Sequence, residues 1–441
     1  MEDRLIQADL QHVWHPFTQH SEWEESRPLV IQSAVGAELI DTQGNRYLDG
    51  VASLWVGVHG HQHPVVDGAI RDQLARVAHT TLLGLANVPA VELAETLARV
   101  TPGDLSRVFY SDCGSAAVEI ALKMAFQYQR QAGDARRTVF ARFEHAYHGD
   151  TLGAVSVGGI DLFHQVFGPL LFDSVGLPTP LNGEDEDALA DEACRRLDAV
   201  ADTLCAIIVE PLVQAAAGMR MHSARFLDRV LGHAKDLGAM VILDEVATGL
   251  GRTGTLFAAE QLHTPVDILC LGKGLSNGYL PLAATLTTER VYEAFVGRHD
   301  QAFFHGHSFT GNPLGCAAAR ACLQLFDDED TLTHVRSLAE SLRAQLAPIA
   351  ARSDVAQVRQ TGLMVGIDLL APDGAALPSD LRIGHRLCLS MRARGVVLRP
   401  LGDTLVLMPP LCLTHEQLDR LVRAVVDTLD QDLPRMLGTG R

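Results

Sequence analysis

The sequence predicts an α/β fold: a large domain built on a mostly parallel central sheet, with a smaller α/β domain beside it. Three observations predict it. Short, continuously apolar strands alternate with helices through the middle of the chain, a pattern belonging to parallel sheets covered on both faces. At 441 residues the chain exceeds one ordinary domain. Near residue 325 the pattern changes to longer helices that bracket two further strands.

The first sixty residues are turn-rich, with candidate strands Leu29-Val-Ile-Gln-Ser and Ala37-Glu-Leu-Ile-Asp around Val35-Gly36, followed by a helix from about Pro64 to Val77. Ser115 to Gln129 reads as a helix with Ala117, Ile120, Ala121, Met124 and Tyr128 near one face. The candidate strands of the large domain are Arg137-Thr-Val-Phe-Ala, Leu204-Cys-Ala-Ile-Ile-Val-Glu, Ala239-Met-Val-Ile-Leu-Asp and Asp267-Ile-Leu-Cys-Leu-Gly. In the last part, helices over 331–350, 381–394 and 414–430 surround the strands Leu363-Met-Val-Gly-Ile-Asp and Thr404-Leu-Val-Leu-Met. Thr414-His-Glu-Gln417 has the form of a capping box opening the last helix. The expected division is 1–62, an N-terminal segment packing with the small domain; 63–325, the large domain; and 326–441, the small domain.

The bulk properties narrow the function classes. Apolar residues make up 47% and charged residues 20%, the balance of a globular chain with a large core. With 36 Lys and Arg against 54 Asp and Glu, the net charge of −18 argues against a general nucleic-acid or anionic-membrane binder. The eight cysteines are scattered without a C-x-x-C pair, which fits a reducing compartment better than a disulfide framework. The start Met1-Glu2-Asp3-Arg4 lacks the form of a secretory signal, and no run is apolar enough to span a membrane, so a cytoplasmic protein is expected.

Ligands of such sheets bind outside the carboxyl ends of the strands, and Glu210, Asp244 and Lys273 each fall at such an end. Lys273 follows an apolar strand and sits between two glycines, where partial desolvation makes an amine nucleophilic. The plain alternative, a loop lysine reaching solvent, is equally common for one such segment. Asp244 ends a buried strand and must be paired to stay ionised; a protonated ring nitrogen, the cap of the next helix, or an ion pair with Arg252 would each serve. Gly114 and Ser115 open a strong helix whose free N–H groups make a cradle for a phosphate, although an ordinary capped helix start has the same look. Tyr147 could stack on a flat ring or merely pack. The clusters His59-Gly-His61-Gln-His63 and His305-Gly306-His307 invite a zinc reading, but lack the i, i+4 helical spacing and a cysteine pair, so turns near a ligand are expected there.

The order of these segments resembles the class III aminotransferases of the fold-type I pyridoxal 5'-phosphate (PLP) family over essentially the whole chain. The matching runs are Ser111-Asp-Cys-Gly-Ser-Ala-Ala-Val-Glu, Ala146-Tyr-His-Gly-Asp-Thr, Val209-Glu-Pro, Leu243-Asp-Glu-Val-Ala-Thr-Gly-Leu-Gly-Arg-Thr-Gly, Leu271-Gly-Lys-Gly and His305-Gly-His-Ser-Phe-Thr-Gly-Asn-Pro. Within the class, His12-Val-Trp-His-Pro-Phe-Thr-Gln, Ser53-Leu-Trp-Val-Gly-Val-His-Gly-His and Leu398-Arg-Pro-Leu-Gly resemble the biotin-pathway branch, which converts 8-amino-7-oxononanoate to 7,8-diaminononanoate.

The resemblance implies that Lys273 carries PLP as a Schiff base and moves the proton, that Asp244 pairs with the pyridinium nitrogen, and that Tyr147 stacks on the ring. It further implies that Gly114 and Ser115 hold the phosphate together with Ser308 of a neighbouring subunit, and that Glu210 belongs to the network around the cofactor. Arg399 would bind the substrate carboxylate, with Phe17, Leu54, Trp55 and Gly306 around the substrate. A homodimer with shared active sites is implied as well. The branch's usual donor is S-adenosylmethionine, but Phe17 and Leu54 stand where many members have tyrosine and a second tryptophan. A related branch with Phe at that place includes members using lysine, so both donors are expected candidates. The rival readings are another ω-aminotransferase of the class and a silent PLP-binding protein; the presence of both Lys273 and Asp244 speaks against the second.

Overall fold

The computed structural model describes residues 2–26, 28–160, 165–181, 184–371 and 374–438. Its centre is a seven-stranded sheet in the order Arg107–Ser111, Ala283–Thr287, Ile268–Leu271, Met240–Asp244, Leu204–Val209, Val139–Phe143, Ser174–Leu177. Only Ala283–Thr287 runs against its neighbours; the other strands are parallel to one another. Every residue of the three middle strands, Leu204–Val209, Met240–Asp244 and Ile268–Leu271, is buried. That explains their unbroken apolar sequence: both faces are covered, so no position faces water.

One cover is the helix Gly114–Gln131, whose Ala117, Ile120, Ala121 and Met124 pack with Ile208, Ile242 and Ile268. On the alternate residues of the same strands, Ile207, Val209, Val241 and Leu243 share a second apolar cluster with Phe226, Leu227, Val230 and Leu231 of the helix Ala224–Asp236. Burying each such side chain stabilises the layer by roughly 1.5–3 kcal/mol. Ser223 caps that helix by accepting from the Phe226 N–H at 3.0 Å.

The C-terminal part contains an antiparallel sheet in the order Val355–Thr361, Met364–Leu369, Thr404–Leu407, Arg399–Leu401. A further sheet joins the two ends of the chain: Ile31–Val35, Glu38–Asp41 and Arg46–Asp49 are antiparallel, and Arg46–Asp49 pairs in parallel with Val396–Val397. The predicted helix over 331–350 is Thr331–Ala350, and Thr414 with Gln417 forms the expected capping box ahead of His415–Gln431.

The differences from the sequence reading are local. The first strand lies at Ile31–Val35 and not at 29–33. Arg137 and Thr138 precede the strand Val139–Phe143, where the ladder is irregular: the Thr138 and Val139 N–H groups both donate to the Thr203 carbonyl, and the register shifts between Val139 and Phe140. The helix expected over 381–394 is shorter, Ile383–Ser390, beginning after a left-handed Arg382 and closing in a 3-10 turn, Met391–Arg394. Among the described residues no helix is long and apolar enough to cross a membrane.

Candidate active site

Glu210, Asp244 and Lys273 follow or end three adjacent strands, so one edge of the sheet delivers all three to the same cavity. That cavity has a volume of about 140 Å³, and Gly114, Ser115, Tyr147, His148 and Val246 also line it. Lys273 is held with φ of 42°, in the left-handed region that a side chain disfavours. Burial pulls its amine below the ordinary lysine pKa, against the opposing pull of the Asp244 and Glu210 carboxylates.

Asp244 is buried, and each of its oxygens has one protein partner. Its Oδ2 lies 2.7 Å from His148 Nδ1, and its Oδ1 accepts from the Val246 N–H at 3.0 Å. Arg252 is not its partner: that guanidinium is buried elsewhere and donates to the backbone carbonyls of Gly57 and Pro409. Burial lowers the Arg252 pKa to about 10. His148, unassigned by sequence reasoning, is therefore the group that satisfies the buried Asp244. The need for a partner was legible in a carboxylate ending an apolar strand. The identity of that partner was not, since His148 lies 96 positions away.

Glu210 accepts from the Tyr147 N–H and, through its other oxygen, from the Ala215 N–H, both at 3.0 Å. It thus ties two loops around the cavity. Burial pushes its pKa up to about 7, with the Asp244 charge adding to the rise and His148 opposing it. Tyr147 in turn donates its hydroxyl to Asp150 at 2.8 Å, and burial raises the phenol well above its ordinary range. The Asp150 N–H donates to Ser115 Oγ at 3.1 Å, which fixes the Tyr147 loop against the start of the helix Gly114–Gln131.

Packing at this junction excludes side chains. A Cβ on Gly149, whose φ is 120°, would stand 1.9 Å from Ser115 Oγ, and one on Gly114 would stand 2.6 Å from Val246 Cγ1. No side chain caps the helix at Cys113. Its first N–H groups therefore remain for an anion, which also meets the positive end of the helix dipole.

A second, apolar chamber of about 130 Å³ shares Trp55, Tyr147, Ala216 and Lys273 with the first. Phe17, Val51, Leu54, Pro400, Leu401 and Val406 complete its apolar lining, and its charged side chains are Lys273 and Arg399. Lys273 Nζ lies 5.2 Å from the centre of the Trp55 ring. The wall bearing Leu54 and Trp55 is a left-handed turn: Ala52, Ser53, Leu54 and Trp55 have φ of 47°, 48°, 69° and 71°. For residues with a side chain this costs roughly 1–2 kcal/mol each.

Ten of the twelve expected site residues, all but Gly306 and Ser308, therefore line one of these two chambers. Gly306 and Ser308 are exposed in the segment before the helix Pro313–Asp328 and line neither. Among the described residues, no three His, Cys, Asp or Glu side chains are placed to hold a metal ion. His59 instead bonds the Cys322 carbonyl at 3.0 Å, and His63 bonds Glu329 at 3.0 Å.

The donor set has a particular chemistry. A carboxylate held by an imidazole, a lysine with a lowered pKa, an aromatic side chain and a helix N-terminus share one small cavity, which fits a flat cationic ring carrying an anionic arm. The class III aminotransferase model matches residues 20–429, nearly the whole chain. The chain belongs to the class III aminotransferase family. Members of this family are PLP-dependent transaminases, and the cavity's donor set fits that cofactor.

The sequence is 51% identical over 437 residues to an adenosylmethionine-8-amino-7-oxononanoate aminotransferase of Nitratidesulfovibrio vulgaris, covering 96% of this chain and 81% of that one. The crystal structure of the adenosylmethionine-8-amino-7-oxononanoate aminotransferase from Methanocaldococcus jannaschii matches with a TM-score of 0.94 and 39% identity, covering 98% of this chain and 99% of that one. An amine transaminase from an uncultivated Pseudomonas species, solved with PLP bound, matches with a TM-score of 0.90 and 34% identity over 95% of this chain and 98% of that one. These likenesses span both the sheet that carries Lys273 and the C-terminal part that carries Arg399.

Proposed function

We propose that the chain transfers an amino group to the ketone carbon of 8-amino-7-oxononanoate, giving 7,8-diaminononanoate for biotin synthesis, with S-adenosylmethionine as donor. The observation that carries this reading is the apolar chamber opening beside Lys273 and bearing one guanidinium, Arg399. The substrate is a carboxylate on a run of methylenes that leads to the reacting ketone. Burying each methylene contributes about 0.8 kcal/mol, and Arg399 offers the carboxylate a two-pronged partner. The names of the relatives that match over nearly full length support the same acceptor.

In this reading the helix start at Gly114 and Ser115 holds the cofactor phosphate, Tyr147 covers the ring, and Asp244, oriented by His148, faces the ring nitrogen. Glu210 fixes the backbone of Tyr147. When bound, PLP supplies a ring that takes up the negative charge developing at the reacting carbon. Lys273 Nζ holds the cofactor between turnovers and moves the proton at that carbon. Its lowered pKa keeps the neutral, basic form accessible. Phe17, Leu54 and Trp55 offer the chain of the substrate an apolar wall. The divisions 1–62, 63–325 and 326–441 are supported by the separate sheets, the first segment joining the last through Arg46–Asp49 and Val396–Val397. A cytoplasmic homodimer completes the proposal. The exposure of Gly306 and Ser308 away from both chambers supports their service to a partner's site.

Lysine is the second reading for the donor, favoured by Phe17, which brings no hydroxyl to the chamber. The test gives the PLP-loaded protein 8-amino-7-oxononanoate with either donor and measures the diamine by mass spectrometry. S-adenosylmethionine is expected to yield it. Product from lysine alone would transfer the donor assignment, and product from neither would remove the acceptor.

A further inference from the structure

The strained turn Ala52–Trp55 contains no glycine, so its backbone conformation must be imposed by contacts. Those contacts end on two buried charges. Asp49, the last residue of the strand Arg46–Asp49, is fully buried, and its Oδ1 accepts from the Val51 N–H at 3.2 Å. Its Oδ2 accepts from Ser53 Oγ at 2.7 Å. At the other end, Arg252 donates to the carbonyl of Gly57 at 2.6 Å, and the Trp55 carbonyl lies 3.5 Å from the same nitrogen. Among the described residues no carboxylate touches Arg252, and its remaining hydrogen bond goes to the Pro409 carbonyl. Within the turn, the Trp55 N–H donates to Val51 O at 2.7 Å and the Val56 N–H to Ala52 O at 2.9 Å, aligning the peptide dipoles. An anion thus stands at the N–H end of the turn and a cation at its carbonyl end, the arrangement that complements an aligned set of peptides.

We propose that Asp49 and Arg252 form a charge clamp on the turn Ala52–Trp55, which makes Asp49 a positioning residue for the wall that the substrate meets. Asp49 lines neither chamber; its Oδ2 also stands 4.0 Å from His61 Nε2, and it reaches the chamber through the turn, which presents Leu54 and Trp55 to the apolar wall and sets the Trp55 ring 5.2 Å from Lys273 Nζ. Without the carboxylate, Val51 and Ser53 lose their acceptor and the turn relaxes toward negative φ, carrying both side chains off the chamber wall. Part of this inference, the identity of the chamber as the acceptor's place, rests on the function proposed above.

The test keeps the two apart. The protein has three tryptophans, so a Trp14→Phe, Trp23→Phe background leaves Trp55 as the sole indole reporter. In the PLP-loaded protein without substrate, Asp49→Ala is expected to raise acrylamide quenching of Trp55 about two-fold or more as the ring leaves its buried place. With substrate, KM for 8-amino-7-oxononanoate is expected to rise about ten-fold, with kcat changing far less, and Asp49→Asn, which keeps one acceptor, recovers most of the loss. Unchanged quenching, or a lowered melting temperature with unchanged KM, would overturn the clamp. Should Asp49→Ala fail to fold, Ser53→Ala removes one contact at an exposed side chain and is expected to shift both readings the same way; no shift in either overturns the proposal. If Trp55 moves as expected but the oxononanoate is no substrate, the clamp stands and the acceptor assignment falls.

Discussion

Replacing Lys273 with alanine is expected to lower turnover by at least about 10⁴-fold, the upper range for loss of a positioned acid–base group. Both of its proposed duties are lost together, holding the cofactor between turnovers and moving the proton at the reacting carbon. The rest of the cavity is untouched by the change. Gly114 and Ser115 still open a helix at the cavity, Tyr147 is still anchored by Glu210 and Asp150, and Asp244 is still held by His148. The variant is therefore expected to bind PLP, as followed by absorbance and by retention on gel filtration, without the covalent bond to lysine. Turnover near the parent level would contradict the role assigned to Lys273. Loss of PLP binding altogether would show that the remaining contacts do not form the cradle described.

The second large effect lies at the far side of the same space. Arg399→Ala is expected to raise KM for 8-amino-7-oxononanoate about ten- to a hundred-fold, the cost of losing a charge-assisted hydrogen-bonded partner. Because the proposed contact would be made in both the bound substrate and the transition state, kcat is expected to fall much less than kcat/KM. Arg399→Lys should recover only part of the loss, since an ammonium keeps the charge without the fork. Steady-state kinetics with the oxononanoate and with a short amine lacking the carboxylate separate the cases. Equal losses on both would show that Arg399 supports the fold of the strand Arg399–Leu401 and does not recognise the acceptor.

What could be read from residues alone follows from simple physics. Glu210, Asp244 and Lys273 were legible because continuously apolar strands imply a covered parallel sheet, and such sheets place ligands at the carboxyl ends of their strands. The helix face Ala117, Ile120, Ala121 and Met124 was legible because one apolar side recurs at the helical period. The strand start at Val139 was missed because the ladder begins with an irregularity, the Thr138 and Val139 N–H groups sharing the Thr203 carbonyl, which propensity does not encode. His148 escaped for a different reason: a buried carboxylate announces that it needs a partner, but only the packed fold brings a loop histidine to it.

The left-handed turn at Ala52–Trp55 was invisible for a sharper reason. Positive φ is ordinarily signalled by glycine or asparagine, and these four positions have neither, because buried charges on both sides impose the conformation. Phe17, Leu54, Trp55 and Arg399 entered as candidates through resemblance to a family, and the fold brings them around one chamber from the two ends of the chain.

A single-turnover experiment decides whether this chamber serves amino transfer to 8-amino-7-oxononanoate. The PLP-loaded protein is first treated with an amino donor until its absorption band is lost, then freed of donor and mixed with 8-amino-7-oxononanoate alone. The band is expected to return, with one diaminononanoate formed for each active site. A band that stays lost with this acceptor, yet returns with an unrelated keto compound, would contradict the assignment and leave a class III aminotransferase whose chamber serves a different substrate.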